Sequence, residues 1–181
     1  MNAETVADET LMSRLAQGDM EALGRLVRRH QQAVVGLASR MLGRQDAAED
    51  VAQEAFLHIH RAARRYRPDA KFTTWLYRIV MNLCHDARRR ARASPAQFSE
   101  EAAPTQEPAV DPLEARERAE RVRCAVGALP DRQRTAVILH RYQGLSHHEV
   151  AQATGWSESA VESLIVRAYA TLRRELADLK D

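Results

Sequence analysis

The sequence predicts an all-α fold made of two small helical domains joined by an extended linker. Only 7 of the 181 residues are glycine, and apolar residues recur at spacings of three and four positions instead of alternating as strands require. Residues 93–113 hold four of the six prolines, four acidic residues and no Lys or Arg. Because such a stretch neither continues a helix nor buries a core, we expect a linker between domains 1–92 and 114–181.

The apolar spacing predicts four helices on each side of this linker. They are expected at residues 8–16, 20–42, 47–66, 72–93, 113–127, 131–143, 147–154 and 158–179. The hydrophobic fraction of 45% is sufficient for a packed core in each domain.

Composition indicates a cytoplasmic protein without a cofactor. No run reaches the ~18 apolar residues of a membrane span, and the acidic, polar N-terminus is unlike an export signal. Cys84 and Cys124 are too few and too far apart for a disulfide framework, so we expect both thiols to be reduced. The sequence contains no phosphate-binding glycine loop or catalytic constellation, which argues against an enzyme.

Charge is segregated along the third and fourth predicted helices, although the net charge is only +2. No Lys or Arg lies between Gln45 and His60, whereas residues 61–92 carry nine Arg and one Lys against two Asp. The same basic half contains four of the nine aromatic side chains. Opposite charges laid end to end indicate two different partners, and basic charge interleaved with stacking side chains suits opened nucleic acid.

One face of the third predicted helix is acidic and surrounds a single apolar side chain. On a helical wheel, one side comprises Val51, Ala55, Ile59, Ala62 and Tyr66. The opposite side carries Asp46, Asp50, Gln53, Leu57, His60 and Arg64. An apolar residue within an acidic stripe resembles the anchor of a protein interface with a charged rim. The alternative, that the acids only complement the helix dipole, leaves Leu57 without an explanation.

The fourth predicted helix presents a face suited to nucleic acid. Its buried stripe comprises Leu76, Ile79, Val80, Leu83 and Ala87, and its far side comprises Trp75, Arg78, Asn82, His85 and Arg89. The far side offers groups that pair with phosphate, hydrogen-bond a base and stack on a flipped base. The preceding loop, residues 67–71, is expected to form the edge of a base-holding pocket. In the alternative interpretation, Trp75 and Phe72 belong to the core and the late Arg run is a solvated helix end.

The C-terminal domain has the spacing of a helix-turn-helix. Ala151, Gly155, Val161 and Leu164 fall at offsets of zero, four, ten and thirteen, as the close helix crossing, the turn and the apolar anchors require. Capping residues are expected at Ser146 with Glu149, and at Ser157. The groove-facing side of the second helix offers Ser157, Glu158, Ser159, Glu162, Ser163 and Arg167. Residues 156–181 have four basic against five acidic residues, so we expect this domain to need help from the other one.

Three stretches together resemble a bacterial RNA polymerase sigma factor of the extracytoplasmic-function group. They are AEDVAQEAF at residues 48–56, FTTWLYRIVMN at residues 72–82, and LPDRQRTAVILHRYQGLSHHEVAQATGWSESAVESL at residues 129–164. The resemblance implies that the first domain is sigma region two and the second is region four. It also implies binding to core RNA polymerase through the β′ clamp helices and the β flap, recognition of promoter DNA, and inhibition by an anti-sigma factor.

The resemblance also assigns roles by position. Core polymerase would be bound by Asp46, Glu49, Asp50, Gln53, Glu54 and Leu57. The minus-ten element would be melted and held by Arg67, Lys71, Phe72, Trp75, Arg78, Asn82 and Arg89. The minus-thirty-five element would be read in the major groove by the groove-facing side of the helix-turn-helix, and the acidic linker would thread toward the polymerase channels.

A second class of protein remains open from the residues alone, namely a ligand- or metal-responsive helix-turn-helix repressor. Seven His residues suggest it, including His58, His60, His147 and His148. However, residues one or two positions apart on a helix point in different directions, and no HExxH motif or Cys/His cluster is present, so we expect no metal site.

Overall fold

The computed structural model describes residues 6–93 and 112–180, which form eight α-helices and contain no strand. The helices are α1 (Asp8–Ala16), α2 (Met20–Leu42), α3 (Gln45–Ala62), α4 (Phe72–Ala93), α5 (Pro112–Ala128), α6 (Asp131–Val137), α7 (His147–Thr154) and α8 (Glu158–Glu175). The all-α prediction is confirmed. The predicted linker lies largely in residues 94–111, outside the described residues; Ala93 closes α4, and Pro112 begins α5.

Three predicted helices end earlier than their apolar spacing indicated: the eighth stops at Glu175 instead of residue 179, and the third and sixth change conformation within their predicted ranges. The third stops at Ala62 and continues as a 3-10 turn, Ala63–Arg65, after which Tyr66 adopts extended backbone. The sixth changes after Val137 into a π-helical turn, Ile138–Tyr142, and Gly144 then adopts a φ of 70°. Apolar periodicity continues through both changes, which is why it did not reveal them.

The four N-terminal helices enclose one core. Leu26, Leu37, Ile59, Leu76 and Val80 have no exposed surface at all. They come from α2, α3 and α4, which pack on one another while α1 lies across α2. The core fixes α3 and α4 side by side, so their outward faces are rigid platforms.

The helix-turn-helix prediction is confirmed in the C-terminal domain. Ser146 and Glu149 form a reciprocal capping box at the start of α7. Gly155 ends α7 with a φ of 75°, a left-handed conformation that glycine adopts without strain. The side chain of Ser157 then accepts a hydrogen bond from the amide of Ala160 and caps α8. Val161 is fully buried, so α8 is anchored against the preceding helices.

The two domains pack against each other. Helix α7 lies against α4, and the π-helical turn lies against α2. We call this arrangement the closed arrangement. It brings the first helix of the helix-turn-helix onto the helix whose outward face was predicted to bind nucleic acid.

Candidate protein and nucleic-acid interfaces

The outward face of α3 is acidic, exposed and centred on one apolar side chain. Asp46, Glu49, Asp50, Gln53 and Glu54 are all exposed. Leu57 is 49% exposed, and Val51, Ala55 and Ile59 are buried on the opposite side, as the helical wheel predicted. The arrangement combines an apolar anchor with a polar rim, which is how protein–protein interfaces are built.

Several of these acidic groups are held by local partners. Arg44 hydrogen-bonds Asp46 and thereby lowers the pKa of that carboxyl. The amide of Gln45 donates to Glu49 at 3.0 Å, and Arg61 approaches Glu54 at 3.4 Å. These contacts are exposed and therefore weak, so they leave the carboxylates available to a basic partner.

The outward face of α4 and the loop before it carry the predicted nucleic-acid residues. Arg78, Asn82, His85 and Arg89 are exposed along one side of the helix. In the loop, Arg67 and Lys71 are exposed as well. Of the predicted buried stripe of α4, Leu76, Ile79 and Val80 are buried, whereas Leu83 and Ala87 are only partly buried against the core.

The aromatic residues at the start of α4 form a cluster. Phe72 is 1% exposed, and its ring centroid lies 5.2 Å from that of His30, 6.3 Å from Tyr66 and 6.0 Å from Trp75. Trp75 is partly exposed and also contacts Tyr66, with 4.9 Å between the ring centroids. The alternative interpretation, in which both rings belong to the core, therefore holds for Phe72, which has no free ring face for a base. Trp75 packs one part of its ring against the cluster and leaves another part accessible.

Two of the predicted nucleic-acid side chains are engaged by the other domain in the closed arrangement. The ammonium of Lys71 lies 2.8 Å from a carboxylate oxygen of Glu149 on α7, and Arg78 donates to the backbone carbonyl of Gln152. The hydrogen bond from Lys71 lowers the pKa of Glu149 most, and the hydrogen bond from the Ser146 amide lowers it further. The pKa of this carboxyl falls from 4.5 to about 2.

Two further contacts join the domains away from the loop. Arg88 of α4 donates to Asp131, the first residue of α6, at 2.8 Å. The guanidinium of Arg40 on α2 lies 4.5 Å from the ring centroid of Tyr142. Each of these four contacts places a basic side chain of the first domain against an acidic, carbonyl or aromatic group of the second. The closed arrangement is thus electrostatically complementary.

The groove-facing side of α8 is free of the core. Its candidate residues Ser157, Glu158, Ser159, Glu162, Ser163 and Arg167 are all exposed. Glu158 accepts from His148 at 2.7 Å, which links the two helices of the motif at the surface. Val166, on the next turn, is 63% exposed, whereas Ile165 is buried, so only part of this apolar run serves the core.

Sequence reasoning missed the role of the acidic residues that begin α1. Asp8 contacts Arg29 and lies 2.8 Å from Nε2 of His30, while Glu9 accepts from the backbone N–H of Phe72 at 3.2 Å. A signal was available: Lys71 precedes α4 but has no acceptor with which to cap it. The identity of the acceptor was not evident, because Glu9 lies 63 positions before Phe72 in the chain.

Two family models match this chain in the order of its two domains. The model for Sigma-70 region 2 matches residues 26–94, and the model for Sigma-70 region 4 matches residues 119–172. The first contains the α3 and α4 faces, and the second contains the helix-turn-helix. The chain belongs to the extracytoplasmic-function group of RNA polymerase sigma factors, because relatives named as such are 31% to 37% identical to it over most of its length. It is therefore a transcription initiation factor with a region two and a region four, and the repressor alternative finds no support.

Relatives in other bacteria agree along almost the whole chain. The ECF RNA polymerase sigma factor SigM of Mycobacterium tuberculosis is 37% identical over 173 residues, which is 96% of this chain and 86% of the relative. RNA polymerase sigma-H factor of Pseudomonas aeruginosa is 33% identical over 183 residues and 95% of each chain. Both domains of this sigma factor therefore have counterparts in the same order.

A solved structure of CnrH in complex with the cytosolic domain of CnrY matches both domains at once. The TM-score is 0.74 at 29% identity, over 96% of this chain and 99% of CnrH. Within the described residues, no three His, Cys, Asp or Glu side chains meet in a way that could hold a metal ion. Nor is any helix in those ranges long and apolar enough to cross a bilayer.

Proposed function

We propose that this sigma factor divides promoter recognition between adjacent faces of region two and the helix-turn-helix of region four. The observation that carries the proposal is the segregation of charge on α3 and α4. The acidic face with Leu57 and the basic face with Arg78 are exposed on successive helices of one rigid domain. Two surfaces of opposite charge on one platform suit simultaneous contact with polymerase and with DNA.

The α3 face is the proposed site for core polymerase. Leu57 enters an apolar pocket between the β′ clamp helices, and the carboxylates around it meet basic side chains. The residues involved are Asp46, Glu49, Asp50, Gln53, Glu54 and Leu57. Binding energy in such interfaces concentrates in a central apolar anchor, while the charged rim sets orientation and salt dependence.

The α4 face and the loop before it are the proposed site for the minus-ten element. Opening the duplex costs a few kcal/mol per unstacked base, which stacking and hydrogen bonds to the flipped base must offset. Trp75 and Asn82 supply these contacts, and the phosphates are held by Arg67, Lys71, Arg78 and Arg89. Phe72, being buried, supports the Trp75 ring from below.

The exposed side of α8 is the proposed reader of the minus-thirty-five element. Ser157, Ser159 and Ser163 are adaptable donors and acceptors, Glu158 and Glu162 accept from cytosine amino groups, and Arg167 meets phosphate or guanine. Region four would also contact the β flap. Because this helix is weakly basic, region two contributes most of the phosphate contacts.

The closed arrangement must separate before the minus-ten site can work, because Lys71 and Arg78 are engaged by α7. CnrH, which matches this chain across both domains, is bound to the cytosolic domain of CnrY. This supports an anti-sigma factor as a partner that keeps this chain from polymerase, near the membrane, until a signal releases it to the nucleoid.

Reconstituted transcription tests the proposal. Purified core polymerase with this chain is expected to initiate at a subset of promoters selected from a random pool, and neither component alone does so. If the chain binds DNA tightly by itself yet never directs core polymerase, it works as a repressor and the proposal is wrong.

Charge reversal tests the core-binding face. Asp50→Lys combined with Glu54→Lys is expected to weaken core binding at moderate salt by tenfold or more, corresponding to about 1.4 kcal/mol, without changing the thermal unfolding of the chain. Glu21→Lys, on the exposed first turn of α2, is the matched control. If the double variant and the control bind core polymerase with equal affinity, the α3 face is not the polymerase-binding site.

Substitutions on α8 test the upstream reader. Glu162→Ala and Arg167→Ala are expected to change which upstream sequences are enriched when holoenzyme selects promoters from a random pool. Arg173→Ala, exposed near the end of the same helix, should leave the selection unchanged. An unaltered preference in the first two variants would place sequence readout on another element.

A further inference from the structure

The loop of residues 67–71, which lies between the 3-10 turn Ala63–Arg65 and α4, is anchored at both ends by α1. Helix α1 packs on the 3-10 turn that leads into the loop. At the other end, Glu9 of α1 accepts the backbone N–H of Phe72, the first residue after the loop. Fixing both ends of a short loop removes most of its conformational freedom.

The hydrogen bond from Phe72 to Glu9 serves as a helix cap supplied from elsewhere in the chain. The first N–H groups of a helix have no partner inside it. Lys71, at the position before α4, has only donors in its side chain, so it is unable to supply the missing acceptor. The carboxylate of Glu9 supplies it and also places a negative charge at the positive end of the helix dipole.

The neighbouring acidic residue strengthens the same junction. Asp8 lies 2.8 Å from Nε2 of His30, and His30 is 7% exposed with its ring centroid 5.2 Å from that of Phe72. Asp8 also contacts Arg29, whose guanidinium donates to the Val6 carbonyl at 2.9 Å. The backbone N–H of Phe72 is therefore bound by Glu9, and the Phe72 ring packs on His30, which Asp8 contacts.

We propose that Glu9 and Asp8 are positioning residues for promoter opening, which act by fixing the geometry of the 67–71 loop and of Trp75 behind it. Both precede residue 26, where the match to the region 2 family model begins. The inference rests on the proposed function of that loop. It makes α1 a functional part of the minus-ten site, although α1 itself does not touch the DNA.

Amide hydrogen exchange of the full chain tests the cap without any DNA. Glu9→Ala is expected to speed exchange of the Phe72 amide roughly two- to thirtyfold, the range expected when a helix loses its cap. Glu9→Gln keeps a carbonyl acceptor and should retain most of the protection. Glu21→Ala, on the first turn of α2, is the control and should leave Phe72 unchanged.

Promoter opening by the holoenzyme tests the consequence. The probe is a promoter selected from a random pool by wild-type holoenzyme, with 2-aminopurine at the position that becomes unpaired. Glu9→Ala should slow opening by a similar factor while core affinity stays constant, and Glu9→Gln should restore the rate. Asp8→Asn should behave like a milder Glu9→Ala.

Three results would overturn the inference. If the Phe72 amide exchanges at the same rate in Glu9→Ala as in the wild type, Glu9 does not cap α4. If this exchange is faster but the opening rate is unchanged, Glu9 does not position the loop for promoter opening. If Glu9→Ala lowers core affinity and the rate of promoter opening by the same factor, α1 only supports the structure of the domain. If wild-type holoenzyme opens no selected promoter, the proposed function itself fails, and the exchange of the Phe72 amide still reports on the cap.

Discussion

Neutralising Glu149 is expected to loosen the closed arrangement without unfolding either domain. Glu149→Gln removes the charge that faces Lys71 and keeps an acceptor for the Ser146 amide, so the capping box at α7 stays intact. The substitution therefore separates the interdomain contact from the local role of the same side chain.

The magnitude follows from the exposure of the pair. The Lys71 side chain is 74% exposed and that of Glu149 is 19% exposed, with 2.8 Å between the charged atoms. Ion pairs that reach solvent on one side contribute up to about 1 kcal/mol. The ratio of closed to separated molecules should therefore fall about two- to fivefold, because the contacts of Arg78, Arg88 and Arg40 with the second domain stay in place.

Single-molecule energy transfer measures this ratio in the full chain. Cys124 is exposed on α5 and takes one dye, and Gln31→Cys on the exposed side of α2 takes the other. Raising the salt concentration should separate the domains of the wild type and affect Glu149→Gln less, since the screened pair is already absent. Glu175→Gln, which disturbs an exposed pair with Arg174 inside region four, is the control.

The Lys71–Glu149 pair does not hold the domains together if Glu149→Gln and Glu175→Gln give the same distribution of energy transfer as the wild type at every salt concentration. Acid offers an independent check. The pKa of Glu149 in the folded chain is lowered from 4.5 to about 2, so its contribution is present above pH 4.5 and is lost as the pH falls toward 2. The wild type should separate over this window more than Glu149→Gln does.

Three further predictions concern single side chains. Leu57→Ala should weaken core binding by about tenfold or more, whereas Met20→Ala, 55% exposed on α2, should leave the affinity measured by titration unchanged. Phe72→Ala should lower the free energy of unfolding by about 3–5 kcal/mol in denaturant titrations, since the ring is fully enclosed; a loss below 1 kcal/mol would mean that it is not part of the core. A thiol reagent at pH 8 should modify Cys124 and spare Cys84, because burial raises the pKa of the Cys84 thiol to about 12; rapid modification of both would contradict its burial.

The sequence predicted local features well because their causes are local. Apolar spacing placed the buried side of α3 opposite Leu57, and capping chemistry predicted Ser146 and Ser157, since each cap lies within three residues of its partner. The same reasoning was silent on Glu9, whose partner is 63 positions away. It also left the placement of the two domains open, because a linker of such composition permits both contact and separation.

The basic side chains Lys71 and Arg78 are suited both to contact with α7 and to the proposed contact with promoter DNA. Phosphate oxygens, carboxylates and backbone carbonyls are all hydrogen-bond acceptors, so Lys71 and Arg78 engage Glu149 and Gln152 of their own chain with the chemistry proposed for promoter DNA. Because each contact is exposed and individually weak, promoter DNA is expected to displace these contacts and thereby separate the domains. Polymerase bound at the proposed α3 site is expected to leave this competition unchanged at first, because Lys71 and Arg78, which contact α7, do not lie on α3. We therefore expect holoenzyme formation to precede domain separation at region two, and the wild type and Glu149→Gln to bind core polymerase equally but open promoters at different rates.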